Sequence, residues 1–306
     1  MTRRHRPLAV IGLCLVCVTG LAGCSSGPGL VGSHSVLTYC TGGAASGTLD
    51  LYEPSPPPTT PAPLVVFLHG GAWELGDGAI TLGSFDGDLE ADVVNKGWVF
   101  ASVNYRLAPQ YKWPAMVEDA KCAVRALRAN AAFLKIDPQR IAAVGASAGG
   151  QLASLLGLAS PSAGFDVGQY LNQSSRVEAV VDEFGPTDLN AVSWSATPLA
   201  KQVSPAVFGV PAQPPSPVLS AASPVTYVSV TAPPFLVIQG AVDEVVPPAQ
   251  SEELVQRLTA AGDQATLVLV QNAGHGLAPV DNLAVTPSIA ALAQQATNFL
   301  DQQLVG

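Results

Sequence analysis

With 306 residues, 48% hydrophobic and 12% charged, the chain can bury a substantial core and does not have the composition of a disordered polypeptide. Its 23 acidic against 14 basic side chains give a net charge of −9. With no basic cluster to offset that charge, nucleic acid is excluded as a partner.

The first two dozen residues are a segment of their own. Arg3, Arg4 and Arg6 precede an apolar run from Leu8 to Ala22, too short and too glycine-interrupted for a membrane span of about 20 residues. This order reads as a cleaved secretory signal over residues 1–23. Leu21-Ala22-Gly23-Cys24 resembles the lipobox of bacterial lipoproteins. The resemblance implies a lipid on Cys24 and a protein anchored to a membrane of the bacterial cell envelope. Residues 24–47, which open with Ser25-Ser26-Gly27-Pro28-Gly29, are expected to form a flexible tether. Cys14 and Cys17 leave with the signal. Cys40 and Cys122 then remain in an oxidising compartment, either as a disulfide or as two separate buried thiols.

Alternation from Thr48 to Tyr52 predicts a first strand, followed by an extended proline-rich connector over 54–63. Leu64 to Leu68 is a continuous apolar run bounded by proline and glycine, the pattern of a strand buried on both faces. Trp98 to Val103, Ile141 to Val144, Ala179 to Val181, Phe235 to Ile238 and Thr266 to Val270 repeat it. Between them, Val117, Ala120, Val124, Leu127, Ala131 and Leu134 recur at helical spacing. Further helices are expected over Gly149 to Leu158, Ala249 to Ala261 and Ile289 to Leu304. Alternation of strand and helix predicts one α/β domain over 48–306, a mostly parallel sheet with helices on both faces. Residues 159–176 and 188–233 break the pattern. The second stretch is too long for a loop and is expected to form a small cap over the C-terminal edge of the sheet.

Gly145-Ala146-Ser147-Ala148-Gly149 joins a predicted strand to a predicted helix, the setting of a nucleophile elbow. Small neighbours matter because the tight turn strains the serine backbone and brings other backbones close. A serine hydroxyl needs a base, and histidine has the suitable proton affinity. Of four histidines, His5 and His34 lie near the N-terminus, which leaves His69 and His275; His275, in a loop after a strand, is the candidate base. A carboxylate after another strand should orient it. Asp243 and its neighbour Glu244 both fit, and Asp243 is preferred as nearer the strand end. His69-Gly70-Gly71-Ala72-Trp73 follows a buried strand, where backbone N–H groups of Gly71 and Ala72, with Ala148, would form an oxyanion hole. His69 and Gly70 would support that loop. Trp73 is expected either to line the substrate pocket or to pack against the cap.

These motifs resemble the hormone-sensitive-lipase and acetylesterase (feruloyl-esterase-like) branches of the α/β-hydrolases, over about Leu64 to Leu304. Besides H-G-G and G-x-S-A-G-G, the resemblance rests on Asn104-Tyr105-Arg106-Leu107-Ala108-Pro109, on Pro114 to Asp119, on Phe184-Gly185-Pro186-Thr187-Asp188 and on Ser223-Pro224-Val225. Ala72 departs from H-G-G-G and Ala146 from G-D-S, while Gln239 to Pro247 is closer to the acetylesterase branch. The resemblance implies a serine carboxylesterase for short acyl esters, acting through an acyl-enzyme on Ser147 and needing no metal or organic cofactor. A peptidase or polysaccharide deacetylase with the same triad, or a non-catalytic ligand-binding lipoprotein, are the alternatives.

Overall fold

The computed structural model describes residues 32–41, 47–81 and 83–306; the signal segment, the lipobox and Cys24 lie outside the described residues. Eight strands among these residues form one sheet: β1 Ser33–Cys40, β2 Gly47–Glu53, β3 Ala62–Leu68, β4 Val99–Val103, β5 Ile136–Ala146, β6 Ala179–Glu183, β7 Phe235–Gly240 and β8 Ala265–Val270. Their order is β1-β2-β4-β3-β5-β6-β7-β8. β1 and β2 pair antiparallel, as do β2 and β4, and every later pairing is parallel. The helices are α1 Phe85–Asn95, α2 Ala115–Ala129, α3 Ala131–Leu134, α4 Ala148–Leu158, α5 Val192–Ser195, α6 Pro198–Val207, α7 Pro217–Ala222, α8 Ala249–Ala261 and α9 Ile289–Leu304.

The apolar strands run through the centre because both of their faces are covered. Along β3, Leu64, Val66 and Leu68 join a core completed by α2, α4 and α8, whereas Val65 and Phe67 join the opposite core with α1 and α9. A strand with two buried faces must be apolar at every position, which is why β3 reads as a run rather than an alternation.

Three expectations are corrected. The tether does not extend over 24–47, since Ser33–Cys40 form β1. Leu37 and Tyr39 turn inward, the Tyr39 hydroxyl donates to the Asn104 carbonyl at 2.9 Å, and Cys40 is disulfide-bonded to Cys122 on α2 with a Cα–Cα distance of 6.5 Å. The disulfide also decides between the two readings of these cysteines. Second, the helical pattern from Val117 to Leu134 is two helices, broken at Asn130. Third, α1 had no counterpart in the sequence reading. Its N-cap, the Ser84 side chain, accepts from the Gly87 N–H, and its core-facing residues are Phe85, Leu89, Val93 and Val94.

The segment 159–176 is held by α2 through side chains that helical periodicity assigns to solvent. Lys121, Arg125 and Arg128 are all buried. Lys121 Nζ donates to the Ala159 carbonyl at 2.8 Å and to Ser175 Oγ at 3.1 Å. Arg125 binds Asp166 and the carbonyls of Val167 and Gln169, and Arg128 the carbonyls of Ser174 and Arg176. These charges satisfy loop carbonyls that would otherwise be buried without partners.

Candidate active site

β5 runs into α4 through Ser147, whose backbone lies at φ 54° and ψ −117°. Such a conformation costs on the order of 1–3 kcal/mol at a non-glycine residue. Surrounding contacts hold it: Ser147 N–H donates to the Glu183 carbonyl at 2.8 Å, and its own carbonyl accepts from Gln151 N–H at 3.1 Å. Gly149 is required by close approach, because a Cβ there would lie 1.8 Å from the Leu68 carbonyl oxygen. That approach brings the loop after β3 beside the serine. One layer below, Asp182 fastens α4 to the end of β6: Ser154 Oγ donates to it at 2.6 Å and Gly185 N–H at 2.9 Å. Burial pushes this carboxyl up to about 6, against the lowering effect of those two donors.

His275 sits between Ser147 and Asp243. Its Nε2 is 3.0 Å from Ser147 Oγ and its Nδ1 2.8 Å from Asp243 Oδ2. Asp243 is buried and fully engaged. Its Oδ1 accepts from Val245 N–H at 2.8 Å and Val246 N–H at 3.0 Å, and its Oδ2 also accepts from Gln239 Nε2 at 3.2 Å. Glu244 points to solvent, which separates it from its neighbour. Gln239 is itself held by Ser251 Oγ at 2.7 Å, so the acid is positioned by β7, its following turn and α8 together. Phe184 packs edge-on against the His275 ring at 5.0 Å.

The loop after β3 turns with positive φ at Gly71, Ala72 and Trp73. At Gly71, φ is 110° and a Cβ would meet the Leu75 carbonyl at 2.1 Å, so glycine is needed there. Ala72 adopts φ 55° with its methyl group, in the left-handed region that alanine enters at modest cost. The N–H groups of Gly71 and Ala72 donate to no acceptor among the described residues. Ala148 opens α4, where the first N–H groups have no intrahelical acceptor.

His69 braces this loop. Its Nδ1–H donates to the Gly70 carbonyl at 2.7 Å, its ring stacks on Tyr105 at 4.2 Å, and the Tyr105 hydroxyl donates to the His69 carbonyl at 2.8 Å. Burial lowers its proton affinity and keeps it neutral. Tyr105 is in turn held by its neighbour: Arg106 Nε donates to Asp119 Oδ2 at 2.8 Å, linking Asn104-Tyr105-Arg106 to the start of α2.

Of the two places expected for Trp73, the structure rules out the cavity wall, and with it a substrate-binding role, in favour of packing against the 188–233 segment. Trp73 is 1% exposed, its indole N–H donates to Gln151 Oε1 at 3.1 Å, and its ring packs edge-on against Trp194 and Phe208 of that segment. The cavity over Ser147 has a volume of about 730 Å³, with Phe67, Phe85, Phe184, Leu199, Leu277 and Ile289 as apolar walls. Two carboxyls that sequence reasoning passed over, Asp86 and Glu183, also face it. Glu183 was detectable as the second of two acids that follow the apolar run Ala179 to Val181. Among the described residues, no group of three or more His, Cys, Asp or Glu side chains could hold a metal ion.

A family model described as BD-FAE matches residues 49–258. Esterase LipC of Mycobacterium tuberculosis is 34% identical over 80% of this chain and 60% of its own length. Esterase LipQ of the same organism is 30% identical over 87% of this chain and 61% of its own. The chain thus spans about three fifths of the length of these curated relatives. A solved structure titled as a truncated carbohydrate esterase from gut microbiota superposes with a TM-score of 0.69 at 26% identity, over 89% of this chain and 97% of its own. The parallel sheet with helices on both faces, the match over most of the chain and these likenesses agree: the chain has the α/β-hydrolase fold and belongs to the BD-FAE family.

Proposed function

We propose that the protein is a serine carboxylesterase that cleaves short acyl esters through an acyl-enzyme on Ser147. The observation that carries this reading is the hydrogen-bonded line Ser147–His275–Asp243 at 3.0 and 2.8 Å, opening into the cavity. Asp243 accepts a hydrogen bond from Nδ1–H, which leaves Nε2 as the free base facing Ser147 Oγ. As Oγ attacks the ester carbonyl, Nε2 takes its proton and the carbonyl oxygen becomes an anion. The N–H groups of Gly71, Ala72 and Ala148 meet that anion, each worth about 2.7–4 kcal/mol in such sites. The C–O bond to the alcohol then breaks, the alcohol leaving with the proton from His275. Water, deprotonated by the same nitrogen, attacks the acyl-enzyme and returns Ser147 with release of the acid.

Short acyl groups are favoured by the cap-forming segment. Its longest helix has ten residues and contains Pro205, with no broad apolar lid of the kind a triglyceride lipase needs. A second reading, removal of acyl groups from polysaccharides, is favoured by the likeness to the carbohydrate esterase. Export and lipid anchoring through Cys24 complete the proposal. The Cys40–Cys122 disulfide supports an oxidising compartment.

The test is hydrolysis of p-nitrophenyl esters from C2 to C12 beside Ser147→Ala, with acetylated xylan as a parallel substrate. Turnover concentrated on short chains and absent in the variant is expected. Turnover that survives the substitution, or that rises with chain length, would reject the reading. Loss of the protein from the membrane fraction on Cys24→Ala tests the anchor.

A further inference from the structure

Beyond Ser147, His275 and the oxyanion loop, the walls of the Ser147 cavity are mostly apolar, with Ser84, Asp86 and Glu183 as the polar exceptions. Glu183 ends β6 in register with Ala146, the residue before the nucleophile, so its side chain enters the cavity from the strand next to Ser147. It is only 2% exposed, its Oε1 is buried without a partner, and no hydrogen bond reaches either carboxyl oxygen among the described residues. Burial of a carboxyl without partners is strongly unfavourable, and unlike Glu90 in α1, Glu183 stands on the wall of the Ser147 cavity, where a bound group can reach it. Packing alone does not explain it, because Val181, two residues earlier on the same face, meets the core as an aliphatic side chain.

The surrounding charges say what the group would accept. Asp86, at the start of α1, lines the same cavity, with Oδ1 accepting from Ser84 Oγ at 2.6 Å. Asp182 lies on the other side of β6. The basic side chains on the cavity wall are His69, held neutral, and His275, which is engaged with Asp243 and Ser147. Among the described residues, no lysine or arginine lines it. Burial, reinforced by Asp86 and Asp182, holds the Glu183 carboxyl well above the usual carboxylate range. Through its carbonyl oxygen the carboxyl would accept from a substrate group that donates a hydrogen bond, whereas a plain alkyl chain would leave it unsatisfied.

We propose that Glu183 sets substrate specificity: its carboxyl binds a hydrogen-bond donor, a hydroxyl or ammonium group, carried within a few bonds of the scissile ester. The short reach follows from the pairing of neighbouring strands about 4.8 Å apart, which keeps Glu183 close to the reacting carbon. The proposal rests on the esterase reading of the same site. Glu183 binds and selects; it takes no part in proton transfer.

The experiment compares matched esters on the purified full-length protein. In the acyl series these are p-nitrophenyl butyrate, 3-hydroxybutyrate and 3-aminobutyrate; in the alcohol series, pentyl acetate, 4-hydroxybutyl acetate and 4-aminobutyl acetate. The readout is the ratio of kcat/KM for the donor-bearing ester to that of its parent, with active sites counted by fluorophosphonate labelling of Ser147. A ratio of about ten or more is expected in one series, as for sites built to hydrogen-bond a substrate group. Glu183→Leu should bring it to about one, and Glu183→Gln, still an acceptor, should keep part of it. The series that responds identifies the half of the ester involved, and the hydroxyl and ammonium arms identify the donor. Ratios near one in the native protein, or ratios unmoved by the substitutions, overturn the proposal while leaving the esterase reading standing. Failure to turn over any parent ester removes that reading and the proposal with it. If Glu183→Leu does not fold, the native ratio and that of Glu183→Gln decide.

Discussion

Asp243→Asn isolates the one property of Asp243 that geometry cannot replace. The carboxylate accepts four hydrogen bonds: two from the backbone at Val245 and Val246, one from Gln239 Nε2 and one from His275 Nδ1. A carboxamide of the same shape has one accepting oxygen and one donating nitrogen. If the oxygen keeps the two backbone N–H groups, the NH₂ faces Gln239 Nε2 and His275. The imidazole must then present an unprotonated Nδ1, so its proton moves to Nε2 and Ser147 loses its base. If the amide flips, its NH₂ points at two buried backbone donors, each left unsatisfied at a cost of about 1–3 kcal/mol. The first arrangement wins, because it sacrifices function and leaves most of the buried bonds intact. A fall in kcat of about 10⁴-fold is expected, as for other triads forced into the wrong tautomer, corresponding to about 5 kcal/mol of activation free energy. The loss of stability should be small. The assay is p-nitrophenyl butyrate hydrolysis beside the rate of fluorophosphonate labelling, with thermal unfolding as the control. Glu244→Gln, at an exposed position, should be nearly silent. If Asp243→Asn kept a tenth of the activity, or Glu244→Gln lost most of it, the assignment would be refuted.

Glu90 is buried in α1 with neither carboxyl oxygen partnered, and burial pushes it from 4.5 up to about 7. The folded state therefore holds this proton more tightly than the unfolded chain, so stability contributed by the neutral acid is present below about pH 4.5 and is lost as pH rises to about 7. Glu90→Gln should stabilise the protein by about 1–3 kcal/mol at pH 8 and by little at pH 4, read from urea unfolding at both values; an equal effect at both would exclude titration of Glu90 as the cause. Replacing Cys40 and Cys122 together by serine should cost about 2–4 kcal/mol, since the bridge closes a long loop in the unfolded chain; an unchanged denaturation midpoint under oxidising conditions would argue against the bond. Tyr105→Phe removes the donor to the His69 carbonyl and should lower stability by about 1–2 kcal/mol. Because that carbonyl belongs to the loop beside Ser147, kcat should fall more than KM rises, and a change confined to KM would contradict a role in holding the loop.

Much of the site could be read without coordinates because its constraints are local. A serine in a strained strand-to-helix turn needs small neighbours, and Gly145, Ala146, Ala148 and Gly149 supply them over five residues. His275 followed from having few histidines, and Asp243 from its place after an apolar strand. The buried strands β3 to β7 were visible because continuous apolar runs bounded by glycine and proline have few other uses. Burial of a polar group, by contrast, depends on residues distant in the chain. Lys121, Arg125 and Arg128 occupy helix positions that read as solvent-facing until the 159–176 segment covers them. Trp73 could have faced the ligand or the cap, and only the meeting with Trp194 and Phe208 chose between these. β1 was lost in a stretch read as a tether, because an edge strand is defined by the partner it pairs with. By itself the sequence determined the α/β fold class and singled out the serine, histidine and aspartate that the fold brings together, through local sterics and periodicity. Tertiary structure alone decided that Glu183 ends in the cavity without a partner, because desolvation is a property of everything packed around a side chain.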